Sequence, residues 1–238
     1  MEIYNKIKDK TQKWLESEGL MNRFAWEAIL KIKKIFNLNR LYSKDIIKDY
    51  FNNHDIRKIQ FGSGDDLLDG FLNTDIIGRI SLDITKKLPF DDNSVDLFYS
   101  NHTLEHIYFK DSLFFLKETY NKLKPGGIHI ISVPSIEKIS KLMYSSEDTD
   151  LRNKVLKSYS DLNEKITPAI FLNRVIHIRY LHKFLYDLDT IKMIGEKIGY
   201  EKVYLLKKPV GIDPVIIEKI KKTDEICQAI TDIYILIK

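Results

Sequence analysis

Residues 58–66 read KIQFGSGDD, a short apolar run that ends in Gly-Ser-Gly followed at once by two carboxylates. Gly62 and Gly64 allow a tight turn and a close approach of backbone to ligand. A strand that empties into such a turn narrows the fold more than any other stretch of the chain, because it suits the carboxyl end of a strand in a layered α/β sheet. The acidic pair narrows the ligand. A nucleotide pyrophosphate would be repelled by Asp65 and Asp66, whereas a ligand carrying positive charge would not.

Further signals follow in order. Asn73-Thr74-Asp75 closes a second apolar run, and Asp83 closes a third in ISLDI. Then come LPFDDNSVDLFYSNHTLEHI at 88–107 and LKPGGIHIISVP at 123–134. Carboxylates at strand ends after a glycine turn fit a nucleoside site at the carboxyl edge of parallel strands. With these motifs in place, residues 59–134 resemble a class I S-adenosylmethionine-dependent methyltransferase. The nearest subgroup is the small-molecule and glycan methyltransferases, with FGSG, LPF, LEH and LKPGG motifs. The resemblance implies an α/β, Rossmann-like sheet, mostly parallel with an antiparallel last strand. It also implies S-adenosylmethionine as cofactor and methyl transfer to an oxygen of a small molecule or sugar, a surface-glycan precursor among them.

Residue roles come with the resemblance. Gly62, Ser63 and Gly64 would pass beside the homocysteine and ribose of the cofactor. Asp75 would accept from the two ribose hydroxyls, and Asp83 from the adenine amino group, with the N–H of Ile84 facing a ring nitrogen. Asn101 would also touch the cofactor. Gln60 departs from the pattern, since this position is usually acidic and helps hold the cofactor's ammonium; its amide oxygen still accepts a hydrogen bond, and Asp65 or Asp66 could supply the charge. Ser100, Asn101 and His102 leave a strand where the methyl group would lie. His106 or His102 is the candidate base, histidine being matched to neutral pH. His177 and His182, in the irregular stretch that would cover the substrate, are alternatives. Arg174 and Arg179 there could hold a phosphate or carboxylate.

At 238 residues the chain suits one α/β core with an accessory piece: a helical N-terminal extension at 1–56 and a methyltransferase domain at 57–238, with 135–187 as the substrate-covering insertion. The one cysteine, Cys227, excludes an internal disulfide or a cysteine-based zinc site and reads as a small apolar side chain on a helix. The opening residues do not form a signal peptide, and no apolar stretch reaches about 18 residues, so a cytoplasmic protein without a membrane span is expected. Net charge is +4, with thirteen Lys/Arg against eight Asp/Glu in residues 1–58. That basic arm motivates an alternative, an RNA or protein methyltransferase. No basic-aromatic stripe accompanies it, so no nucleic acid partner is expected. A second alternative, motivated by Gln60, is a non-enzymatic scaffold acting through its N-terminal helices, which could also pair two copies of the chain.

Apolar spacing predicts helices over 1–38, and Ser43 as the cap of a third helix running to Phe51. Thirteen positions separate Gly62 from Asp75, too few for a full helix and a strand. A short turn over 66–69 and a trimmed sheet edge follow. Strands are expected at 95–100, 128–133, 201–206 and 231–237. A helix over 109–123 should be stopped by Pro125-Gly126-Gly127, and one over 188–198 by Gly199.

Overall fold

The computed structural model describes residues 39–76, 79–159, 166–174 and 182–238. The helices expected over 1–38 lie outside the described residues. Six strands form one sheet in the order β2-β1-β3-β4-β6-β5. They are β1 (Lys58–Phe61), β2 (Leu72–Thr74), β3 (Val95–Asn101), β4 (Leu123–Pro134), β5 (Lys202–Leu205) and β6 (Thr231–Ile237). β1 pairs with β2 and β3 in parallel, as does β3 with β4. β6 runs antiparallel between β4 and β5. This is the expected α/β, Rossmann-like sheet, mostly parallel with an antiparallel last strand.

Alternation along the strands explains the two packed faces. Phe61, Phe98, Ile131 and Val133 point to one face, where they meet Ile47 and Tyr50 of α1 (Asn39–Asn53), Phe115 and Leu116 of α2 (Phe109–Lys122), and Ile191 and Ile194 of α6 (Leu188–Ile198). Leu97, Tyr99 and Ile130 point to the other, against Ile216 of α7 (Pro214–Lys222). A third cluster stands apart. It joins α3 (Ile136–Tyr144), α4 (Thr149–Ser158), α5 (Pro168–Asn173) and α8 (Glu225–Ile230) through Leu142, Val155, Phe171 and Ile230. The stretch after β4 therefore brings its own small core.

Local chemistry sets the boundaries, in two places otherwise than expected. Ser43 sits inside α1 rather than at its cap, and its Oγ accepts from the Ser81 N–H (3.1 Å). The Pro-Gly-Gly run does not stop α2. Leu123 already turns extended to pair with Val95, and Gly126 lies beyond, at φ +78°, with its N–H bonded to Lys238 O (2.7 Å). Sheet pairing thus ends this helix before the glycines are reached. Gly199 does close α6, at φ +113°. No helix stands between β1 and β2 among the described residues, and the third apolar run shrinks to an isolated bridge, Asp75 with Ser81.

His129 of β4 is fully buried among Phe61, Phe98 and Phe115. Burial pushes its pKa from 6.5 down to about 3. The unfolded chain therefore binds one more proton between those values, so His129 erodes stability as pH falls below 6.5. The slope reaches about 1.4 kcal/mol per pH unit. Urea unfolding of His129→Leu at pH 7 and pH 5 is expected to show a smaller difference between the two conditions than the parent does. An equal difference would refute this role.

Candidate functional site

Two neighbourhoods meet at the carboxyl ends of the central strands, where the order reverses between β1 and β3. The first is the glycine turn. Ser63 N–H donates to Thr74 O and Gly64 N–H to Asp75 Oδ2, both at 3.0 Å. The turn is thereby strapped to the end of β2. Its two glycines serve different ends. At Gly62, φ +63°, a Cβ would run into the side chain of Thr103, whose Oγ1 donates to Phe61 O (3.3 Å). At Gly64, φ +51°, a Cβ would meet nothing within 4 Å. Gly62 is thus demanded by packing, and Gly64 by backbone shape on an open side.

Gln60 is buried under this turn. Its Nε2 donates to Asp66 O (3.0 Å), while its Oε1 has no hydrogen-bond partner. The Asp66 carboxylate is ion-paired with Lys219 of α7. Asp83 closes a local turn: its Oδ1 accepts from Thr85 N–H (3.1 Å) and Thr85 Oγ1 (2.7 Å). The Ile84 side chain joins the core.

The second neighbourhood starts where Asn101 ends β3. His102 takes a left-handed backbone, φ +47°, a conformation in which histidine is several-fold enriched. Its N–H donates to Ser132 O (2.8 Å), so β4 holds the kink. The ring then spans two partners. Nδ1 lies 3.1 Å from Glu105 Oε1, and Nε2 lies 3.4 Å from Cys227 Sγ and 3.3 Å from Thr231 Oγ1. Glu105, in a 3₁₀ turn (Leu104–His106), is 0% exposed. Its backbone O accepts from Lys183 N–H (2.6 Å), which draws the segment before α6 over the turn. His182 Nε2 comes within 3.9 Å of Glu105 Oε1, and the His106 and His182 rings meet edge to face at 4.9 Å.

These histidines open on a cavity of about 450 Å³, which Tyr159, Asp224 and Cys227 also line. None of Gly62, Ser63, Gly64, Asp75 or Asp83 lines it.

Charge is distributed unevenly in this wall. Burial, the largest influence on His102, lowers its pKa, but the hydrogen bonds to Cys227 and Glu105 outweigh burial and raise it to about 10. Burial raises the Glu105 carboxyl, yet the His102 hydrogen bond and the surrounding imidazoles bring it below its ordinary value. Burial also raises the Cys227 thiol, and the bonds to His102 and Thr231 reverse that. His182 is pushed down to about 4, chiefly by burial. His102 is therefore a cation at neutral pH, a proton donor rather than acceptor, while His182 is neutral.

Three of the sequence-derived histidines, His102, His106 and His182, thus converge on one carboxylate. His177 and Arg179 lie outside the described residues. Arg174 Nη1 donates to Tyr159 O (3.0 Å), which braces the helical cap. Cys227 departs from its reading as a plain apolar side chain, since its thiol is the outer partner of His102. No local pattern could have shown this, because 125 positions separate the two residues. The importance of Glu105 was carried only by the LEH motif.

The chain is similar to a SAM-dependent methyltransferase from Archaeoglobus fulgidus, at 15% identity over 84% of this chain and 94% of that one, with a TM-score of 0.43. It is also similar to a SAM-dependent methyltransferase, a possible histamine N-methyltransferase, from Thermotoga maritima, at 15% identity over 90% and 95% of the two chains, TM-score 0.45. Phosphoethanolamine N-methyltransferase 2 of Haemonchus contortus in complex with S-adenosyl-L-methionine is matched at 11% identity over 83% of this chain and 52% of that one, TM-score 0.42. No curated protein matches the sequence. Residues 72–131, from the start of β2 into β4, match the model of the family described as a methyltransferase domain.

Proposed function

We propose that this chain is an S-adenosylmethionine-dependent methyltransferase acting on an oxygen of a small molecule or sugar. The observation that carries the reading is the adjacency of the glycine turn and the histidine-lined cavity at the strand-order reversal, within and beside the stretch that matches a methyltransferase domain.

The turn fits the cofactor on its own features. Gln60 Oε1 is a buried acceptor lacking a donor, and the cofactor's ammonium is a donor. The open side of Gly64 leaves backbone accessible to the homocysteine and ribose. Asp75, already fixed by the Gly64 N–H, sits at the end of β2, where its carboxylate can accept from a vicinal diol. Asp83, with the N–H of Ile84, is assigned to the adenine edge, and Asn101 to the cofactor's reactive end. S-adenosylmethionine, when bound, supplies a methyl group already activated on its sulfonium, so the work left to the chain is alignment and exclusion of water.

The cavity is assigned to the acceptor. The cover is assigned to the stretch after β4, whose described members Ser158, Tyr159 and His182 line the cavity and whose α3, α4 and α5 share a separate core. A wall of imidazoles grouped on one carboxylate suits an acceptor that arrives as a hydroxyl and must lose its proton. Calorimetric titration with S-adenosylhomocysteine is expected to show one site per chain. Methyl transfer from labelled cofactor is expected to favour hydroxylic acceptors over amines. Absence of binding at millimolar S-adenosylhomocysteine would end the cofactor assignment, and transfer to amines alone would end the oxygen assignment.

A further inference from the structure

Glu105 lies buried beside the histidines that line the cavity, and it is satisfied on one side only. Oε1 takes the bond from His102, whereas Oε2 is buried with no hydrogen-bond partner. An ionised oxygen left in that state costs about 1–3 kcal/mol or more in lost solvation, and buried polar atoms as a rule find a donor, a water or an ion. The neighbours favour an ion. One ligand atom each from Glu105, His106 and His182 lies within 4.8 Å of the others. They come from two segments, the 3₁₀ turn after β3 and the stretch leading into α6, tied together by the Lys183 N–H on Glu105 O.

We propose that Glu105, His106 and His182 bind a divalent transition-metal ion at the wall of the cavity. Two imidazoles and a carboxylate form a donor set of the kind taken by zinc, cobalt and manganese, not by magnesium or calcium, which favour oxygen alone. Ligand atoms about 2.1 Å from a tetrahedral ion sit roughly 3.5 Å apart, so the three atoms here, within 4.8 Å of one another, need only a modest contraction to hold one. His106, the exposed member, closes the remainder by turning about its side-chain torsions. His102 plays the supporting part: its Nδ1–H on Oε1 orients the carboxylate and leaves Oε2 for the ion. Because His106 and His182 line the cavity, the ion's open positions face whatever occupies it. The inference rests on the reading of that cavity as the acceptor site for one point only, that the ion takes the acceptor's oxygen.

The test uses the tag-free chain, stripped with chelator and titrated with Co²⁺ and Zn²⁺. One Co²⁺ per chain is expected, with visible absorption bands of low coordination number, displaced by Zn²⁺. His106→Ala and His182→Ala should each weaken binding tenfold or more. Lack of stoichiometric binding by either ion overturns the proposal, as does unchanged affinity in His106→Ala, an exposed position where misfolding is no excuse. Cys227→Ser should leave binding intact. Its loss in that variant would place the ion on the His102–Cys227 pair and equally overturn the assignment. S-adenosylhomocysteine titrated into the same metal-free samples reports on the glycine turn alone, so failure of the metal site and failure of the methyltransferase reading appear in different measurements.

Discussion

Asp75→Ala is expected to lower affinity for S-adenosylhomocysteine by about a hundredfold or more while leaving the fold intact. Hydrogen bonds to a charged acceptor contribute about 1.5–3 kcal/mol each, and a ribose diol offers two. Each 1.4 kcal/mol is about tenfold in affinity. The Gly64 N–H also loses its acceptor, which frees the turn to leave its ligand-ready shape. Gly64 is exposed, so water takes over that bond and thermal stability should fall little. Calorimetry and thermal unfolding on the same preparation separate the two effects. Affinity equal to the parent's would remove Asp75 from the cofactor site. A collapse of stability would make it a structural strap only.

Glu105→Leu is expected to destabilise the folded chain by about 1–3 kcal/mol, as loss of one partner from a charge-assisted hydrogen bond does. The substitution takes the carboxylate partner from His102, which Glu105 helps to keep protonated. The test of cause is the second change. His102→Asn, which tolerates the left-handed backbone at that position, removes the ring left without its partner, so the double variant should lose less than the sum of the single variants. Urea unfolding of the parent, both single variants and the double variant completes the cycle. Additive losses would show that Glu105 serves packing rather than charge.

Much of this architecture was legible in the chain because its signals are local. The FGSG turn, the near-continuous apolar runs of β3 and β4, Gly199 after α6 and the short spacing from Gly62 to Asp75 each report a nearby backbone requirement. Expectations went astray where a distant partner overrode a local one. Pairing of Leu123 with Val95 ends α2 before its Pro-Gly-Gly run, and Ser43 serves Ser81 instead of a cap.

The succession of strands along the chain and the short turn between β1 and β2 were determined by sequence alone, through periodicity and glycine placement, while the antiparallel last strand and the candidate histidines came with the motif resemblance. The tertiary structure alone decided that His102, His106 and His182 share one buried carboxylate, that Cys227 completes the row, and that a Cβ at Gly62 would run into Thr103. Hydrogen bonds and burial depend on separation in space, and residues brought together by crossovers between strands carry no trace of that separation in their order along the chain.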